Sequence, residues 1–205
     1  MAVHDTLSID QRGLNLRVKS LELGSTDAHT AGTEITSTAA ELNILTGVLA
    51  TAAELNRVTD MSTRVVNVTT STLAVTEADH DGKTMVLDLA AGIAVTLPVP
   101  VAGMKFRFIV KTTFTGASSI KSVAGTHIMI GRALMGNDSD NTVVAWPAIA
   151  ANTFDTIDMF GTGNSTGGMA GQVIEIEALS ATVWEVNITG DAAGTEATPF
   201  QNTVT

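Results

Sequence analysis

Alternation of apolar and polar positions with a period of two runs through residues 65–190 and predicts strands, because successive side chains of a strand point to opposite faces. Met104, Phe106, Phe108 and Val110 alternate with Lys105, Arg107 and Lys111, with Ile109 the exception. Ile174, Ile176 and Ala178 alternate with Glu175 and Glu177, and Trp184, Val186 and Ile188 with Glu185 and Asn187. Each reads as one buried and one wet face. Val65, Val66 and Val68 open the β-branched run. Met85–Leu89 and Ile93–Leu97 read as two strands of a hairpin joined by Ala90, Ala91 and Gly92. Strands about ten residues apart, separated by Gly and Asn/Asp turns, predict a mainly β domain, a jelly-roll-like β-sandwich. Lys105, Arg107 and Lys111 are placed to pair across strands with Glu175, Glu177 and Glu185.

The pattern differs before residue 65. Leu14, Leu16 and Val18 alternate with Asn15, Arg17 and Lys19 inside a region, residues 1–35, that otherwise reads as an extended arm. Arg12, Arg17 and Lys19 are the densest basic cluster of the chain, either a solvated strand face or a contact for an acidic partner. Residues 24–33 have the composition of a turn-rich linker. Residues 36–64 hold an internal repeat. Thr38-Ala39-Ala40-Glu41-Leu42-Asn43 returns as Thr51-Ala52-Ala53-Glu54-Leu55-Asn56. Thr38 with Glu41, and Thr51 with Glu54, have the spacing of capping boxes. Gly47 stands where a left-handed residue closes a helix. Two short helices, about 39–45 and 52–60, are predicted, with Leu42 and Leu45 on one face of the first and Leu55 and Val58 on one face of the second. Helices this short need a partner for their apolar faces. Residues 191–205 read as a C-terminal tail.

The doubled Thr-Ala-Ala-Glu-Leu-Asn motif resembles the "AELN" repeats of tailed-phage virion proteins, among them tail fibres and head decoration proteins. Residues 73–89, 90–98 and 103–111 are similar to the opening strands of small β-domains in phage structural proteins. The resemblance spans roughly residues 33–190 and implies an architectural role, with no catalytic residues carried over. It implies a capsid decoration (cement) protein on the outer surface of the head, bridging subunits of the major capsid protein and acting as a homotrimer. In that setting Arg12, Leu14, Leu16, Arg17, Val18 and Lys19 would contact the capsid, and Leu42, Leu45, Leu55 and Val58 would pack between copies. A fibre adhesin that binds a host-surface glycan shares the repeat and is the alternative; a polysaccharide depolymerase is a more distant one.

Composition narrows these options. Eleven basic against 21 acidic residues leave a net charge of −10. That argues against nucleic acid, which needs a basic face, and against an anionic membrane surface. No apolar run approaches the roughly 20 residues of a membrane span, and the first residues carry no signal-peptide pattern. Charged residues make up only 16%, low enough to suggest a surface covered by neighbours. Without cysteine there is no disulfide, thiolate nucleophile or cysteine zinc site.

Candidate chemistry is sparse. Asp79, His80 and Asp81 have metal-ligand types but precede Gly82 between two strands, which reads as a solvated turn. Residues 137–141 lack the glycine and distal glutamate of a calcium loop. Glu175 and Glu177 lie about 7 Å apart on one strand face, a separation seen in glycosidase pairs but ordinary on a wet sheet. His127 sits among apolar residues and reads as a packed strand residue. The glycine-rich stretch 161–171 has no phosphate-binding pattern, and no serine has a nucleophile elbow. The expectation is a non-enzyme without cofactor or metal.

Overall fold

The computed structural model describes residues 22–23, 33–34 and 61–204, apart from residue 141. The chain divides into two units, residues 1–51 and 52–205. In the first, β1 (Glu22–Leu23) pairs antiparallel with β2 (Thr33–Glu34), Glu22 opposite Glu34. The expected capsid contacts Arg12, Leu14, Leu16, Arg17, Val18 and Lys19 lie outside the described residues. So do the caps Thr38, Glu41, Thr51 and Glu54 and the helix-packing residues Leu42, Leu45, Leu55 and Val58.

The second unit is mainly β. A short 3-10 turn (Met61–Arg64) leads into β3 (Val65–Val68). Then follow β4 (Thr72–Ala74), β5 (Thr84–Leu87), β6 (Ala94–Thr96), β7 (Lys105–Val110) and β8 (Ser119–Lys121). The longer β9 (Ile128–Asn137) and β10 (Val143–Ala148) come next, and β11 (Thr156–Asp158) follows. The last strands are β12 (Val173–Ala178), β13 (Val183–Ala192) and β14 (Phe200–Gln201). They build a seven-stranded sheet, β10-β9-β13-β12-β7-β5-β3, and a five-stranded sheet, β14-β11-β8-β6-β4.

Both sheets turn apolar faces to one buried cluster. Met85, Leu87, Phe106, Phe108, Ile174, Ile176, Trp184 and Val186 enter it from the large sheet, and Val95, Ile120 and Ile157 from the small one. The alternation read in β7, β12 and β13 is the observed inside–outside pattern. Trp184 is fully buried, its ring tilted against Phe106 at 5.8 Å between centroids.

The winding of the first half corrects the sequence reading. β3 pairs parallel with β5 and β5 with β7, while β4 pairs parallel with β6 and β6 with β8. The chain therefore alternates between the sheets, laying each new strand beside the one placed two earlier. A jelly roll is wound from antiparallel strands, and this segment is a parallel coil of two sheets. β5 and β6 are consequently not a hairpin; they belong to different sheets. Ala90, Ala91 and Gly92 form the corner between them. Gly92 has φ +98°, and a Cβ there would lie 2.2 Å from the Ala117 carbonyl oxygen of the next corner, so stacking of the corners demands glycine. Thr115 N–H donates to the Ala90 carbonyl across the same stack.

The C-terminal segment is not a free tail. β13 continues to Ala192, and β14 pairs antiparallel with β11 at the edge of the small sheet. Phe200 is buried and stacks on Phe154, centroids 5.9 Å apart. It is therefore not available for docking elsewhere.

Candidate functional site

The outward face of the seven-stranded sheet gathers most of the charges singled out in the sequence. Register places Arg107 opposite Glu175 and Lys105 opposite Glu177. The pairs close as Arg107 Nε–Glu175 Oε1 at 3.5 Å and Lys105 Nζ–Glu177 Oε2 at 3.1 Å, both on exposed side chains. Two strands of period two in direct register suffice to produce this ladder. Exposed pairs of this kind contribute about 0–1 kcal/mol each. They set register more than stability.

Two members of the expected set go elsewhere. Lys111 pairs with Asp88, which follows β5, at 2.6 Å. Glu185 stands opposite Glu177 in the β12–β13 register and has no cation at ion-pair distance among the described residues. The parallel β5–β7 pairing brings Asp88 to Lys111, and the sequence pattern carried no sign of that pairing. Around the ladder the face is concave, a depression of about 420 Å³ rimmed by Gly82, Lys83, Thr84, Glu185 and Asn187. A smaller depression of about 300 Å³ lies on the small sheet, lined by Ser119, Lys121, Thr156, Asp158, Gln201 and Thr203.

Asp88 accepts from Lys111 Nζ and from Thr112 Oγ1 at 2.5 Å. These bonds, Lys111 first, hold its carboxyl below the ordinary carboxylate value. Such a group contributes stability that is present above its unfolded pKa, about 3.9, and is lost as pH falls through the lower folded value. Asp88→Asn should therefore flatten the acid limb of stability against pH below about pH 4. Urea unfolding at a series of acid pH values checks this, and parallel curves for variant and parent would contradict it.

The other candidates resolve into local structure. Thr76 caps the single-turn helix α1 (Glu77–His80), its Oγ1 accepting from Asp79 N–H at 3.3 Å. His80 Nδ1 accepts from Thr76 N–H at 3.1 Å. Asp81 Oδ1 accepts from Lys105 N–H at 2.8 Å, tying this corner to β7. The Thr76–Asp79 spacing is a capping signature that sequence reading could have found. In the β9–β10 turn, Asn137 Oδ1 accepts from Ser139 N–H and Asp140 Oδ1 from Thr142 N–H, at 2.7 and 3.0 Å. Bonds from Thr142 also hold the Asp140 carboxyl below its ordinary pKa. Among the described residues no three His, Asp or Glu side chains are grouped to hold a metal ion. His127 precedes β9 and is half-buried, and its carbonyl accepts from Ser122 Oγ at 2.7 Å. In the glycine-rich loop, Gly168 N–H donates to the buried Gln172 Oε1.

One feature had no signal in the sequence. Asp155 is fully buried, and its carboxylate grips the C-terminal segment. Oδ1 accepts from Thr156 Oγ1 at 2.7 Å, Thr203 N–H at 2.9 Å and Val204 N–H at 3.2 Å.

Comparison with family models, with curated proteins and with solved structures finds no match.

Proposed function

We propose that this chain is a structural component of a tailed-phage particle, a head-decoration protein whose β-sandwich body stabilises the outer shell by bridging subunits of the major capsid protein. The doubled Thr38–Asn43 and Thr51–Asn56 repeat carries the reading. The described body is compatible with a mechanical role. Its outward cations Lys105, Arg107 and Lys111 are each engaged by a carboxylate of a neighbouring strand or corner. A shell-binding protein works through many weak contacts, and a two-sheet body packed on one core can transmit load between them. The excess of acidic residues suits an outer position, away from packaged DNA.

The fibre adhesin is the competing reading, since Ser119, Lys121, Asp158 and Gln201 in the small-sheet depression offer hydrogen-bonding groups to a sugar. Gold-labelled antibody on intact virions separates the two. Label over the head lattice is the expected result. Label confined to the tail would overturn the decoration reading in favour of the fibre.

A further inference from the structure

We infer that one end of the β-sandwich, the uncharged end that carries Val99, Val101, Val123, Ile149 and Leu179, is a contact for the same end of a second copy of this chain. The inference is independent of the function proposed above.

Strand directions gather this surface. In the large sheet β7, β9 and β13 run one way and β10 and β12 the other. The loops 97–104 before β7 and 122–127 before β9, the segment 149–154 after β10 and the turn 179–182 between β12 and β13 therefore lie at one end. Main-chain bonds make them neighbours. Gly103 N–H donates to the Ala178 carbonyl at 2.9 Å and Leu97 N–H to the Lys121 carbonyl at 2.8 Å. Ile128 N–H donates to the Thr182 carbonyl at 2.9 Å and Met129 N–H to the Phe154 carbonyl at 2.6 Å. The chain has 11 basic and 21 acidic residues, and none falls in these four stretches. Val99, Val101, Val123, Ile149 and Leu179 are 46–56% exposed. The loops at the opposite end carry Asp88, Lys111, Asp138, Asp140 and Glu196, and among the described residues they hold no exposed large hydrophobic side chain. Single exposed apolar residues are ordinary on a protein surface; a contiguous uncharged group of them marks a contact.

Charge selects the occupant. Each copy carries a net charge of −10, so two copies repel at long range, and pairing their acidic surfaces sets like charges together. This end meets itself with no charge opposed, the self-complementarity that an isologous contact requires. A partner of strong charge would find no counter-charge in these stretches. The charged corner α1 and Arg64 lie at the β5–β3 margin of this end, outside the apolar area. Size fits a reversible contact. From β7 to β10 the sheet spans five strands, about 19 Å, by roughly 20 Å across two stacked layers. That is a footprint on the order of 400 Å² per copy, in the class of weak interfaces below about 1,200 Å² in total.

Sedimentation of the full chain across the micromolar range, at several salt concentrations, tests this. The expected result is a concentration-dependent step that doubles the mass. Because the contact is uncharged and the copies repel, salt should strengthen it, whereas a contact through exposed ion pairs weakens as salt rises. Val101→Asp and Leu179→Asp should each weaken association at least about tenfold, since each puts a charge into an apolar contact. Both positions are exposed, so circular dichroism should stay unchanged. Val143→Asp, at an exposed position toward the opposite end, is the control and should leave association as it is. A second measurement does not depend on how an added charge is tolerated. The chain has no cysteine, so Leu179→Cys and Ala91→Cys place single thiols at the two ends. A flexible bis-maleimide should link copies through 179 far faster than through 91. A monomer throughout, an oligomer indifferent to Val101→Asp and Leu179→Asp, association weakened by salt, or equal cross-linking at 179 and 91 would each overturn the inference.

Discussion

Gly131→Ala should destabilise the β-body by about 3–5 kcal/mol, or prevent its folding, although it adds a single methyl group. Gly131 lies inside β9, between Val186 of β13 on one side and Ala148 of β10 on the other. Its φ of +137° is a conformation that side chains rarely adopt. A Cβ built there would stand 1.9 Å from the Val186 carbonyl oxygen. Val186 cannot yield cheaply, because that carbonyl belongs to the long parallel β9–β13 ladder in the interior of the sheet. Backbone strain of about 1–3 kcal/mol adds to overpacking of similar size. Gly103→Ala is the control: its φ is also positive, but nothing lies within 4 Å of the added carbon. Urea midpoints of the two variants make the comparison. Equal losses would mean that the ladder at 131 relaxes freely.

Asp155→Ala should cost about 3 kcal/mol, through the buried donors it leaves unpaired, and release the C-terminal strand. The carboxylate is fully buried and receives Thr203 N–H, Val204 N–H and the Thr156 hydroxyl. Hydrogen bonds to a charged acceptor contribute about 1.5–3 kcal/mol, and a buried donor left unpaired carries its own desolvation penalty. Asp155→Asn keeps one acceptor oxygen and should lose less. Limited proteolysis supplies a second readout. Once Phe200 leaves its seat on Phe154, cleavage near residues 193–199 should speed up well before global unfolding. An Asp155→Ala protein with parental stability and protease resistance would show that Phe200 packing alone holds the strand.

The two acidic residues Asp88 and Asp155 show where sequence reading stopped. Asp88 has the place of an ordinary outward acid in the strand pattern 85–89, and Asp155 has no periodic context, so nothing separated either from the many surface acids of a chain with 21. Glu175 and Glu177 were legible because they share a strand with alternating apolar residues. That Arg107 meets Glu175 in particular was decided by the β7–β12 register. Lys111 was assigned to the same set, and its true partner lay on β5, a neighbour reached only through the parallel coil. Asp79, His80 and Asp81 were read as a turn, and the helix α1 that holds two of them is a single turn capped by Thr76.

By itself the sequence determined that residues 65–190 are mainly β, and the inside and outside of β7, β12 and β13. Those follow from period two and the burial of apolar surface, both local properties of the chain. The tertiary structure alone decided which strands are neighbours, in which direction they run, and where the sheets end. A period-two pattern states that a residue faces the core without stating what it meets there. The same alternation serves an antiparallel hairpin and a parallel coil equally well. Choosing between them falls to the corners, where Gly92 stacks against Ala117 and Asp81 binds the Lys105 backbone. The place of β10 at one end of the described sheet has the same origin: it is set by the register to β9, which the order of residues along β10 does not encode.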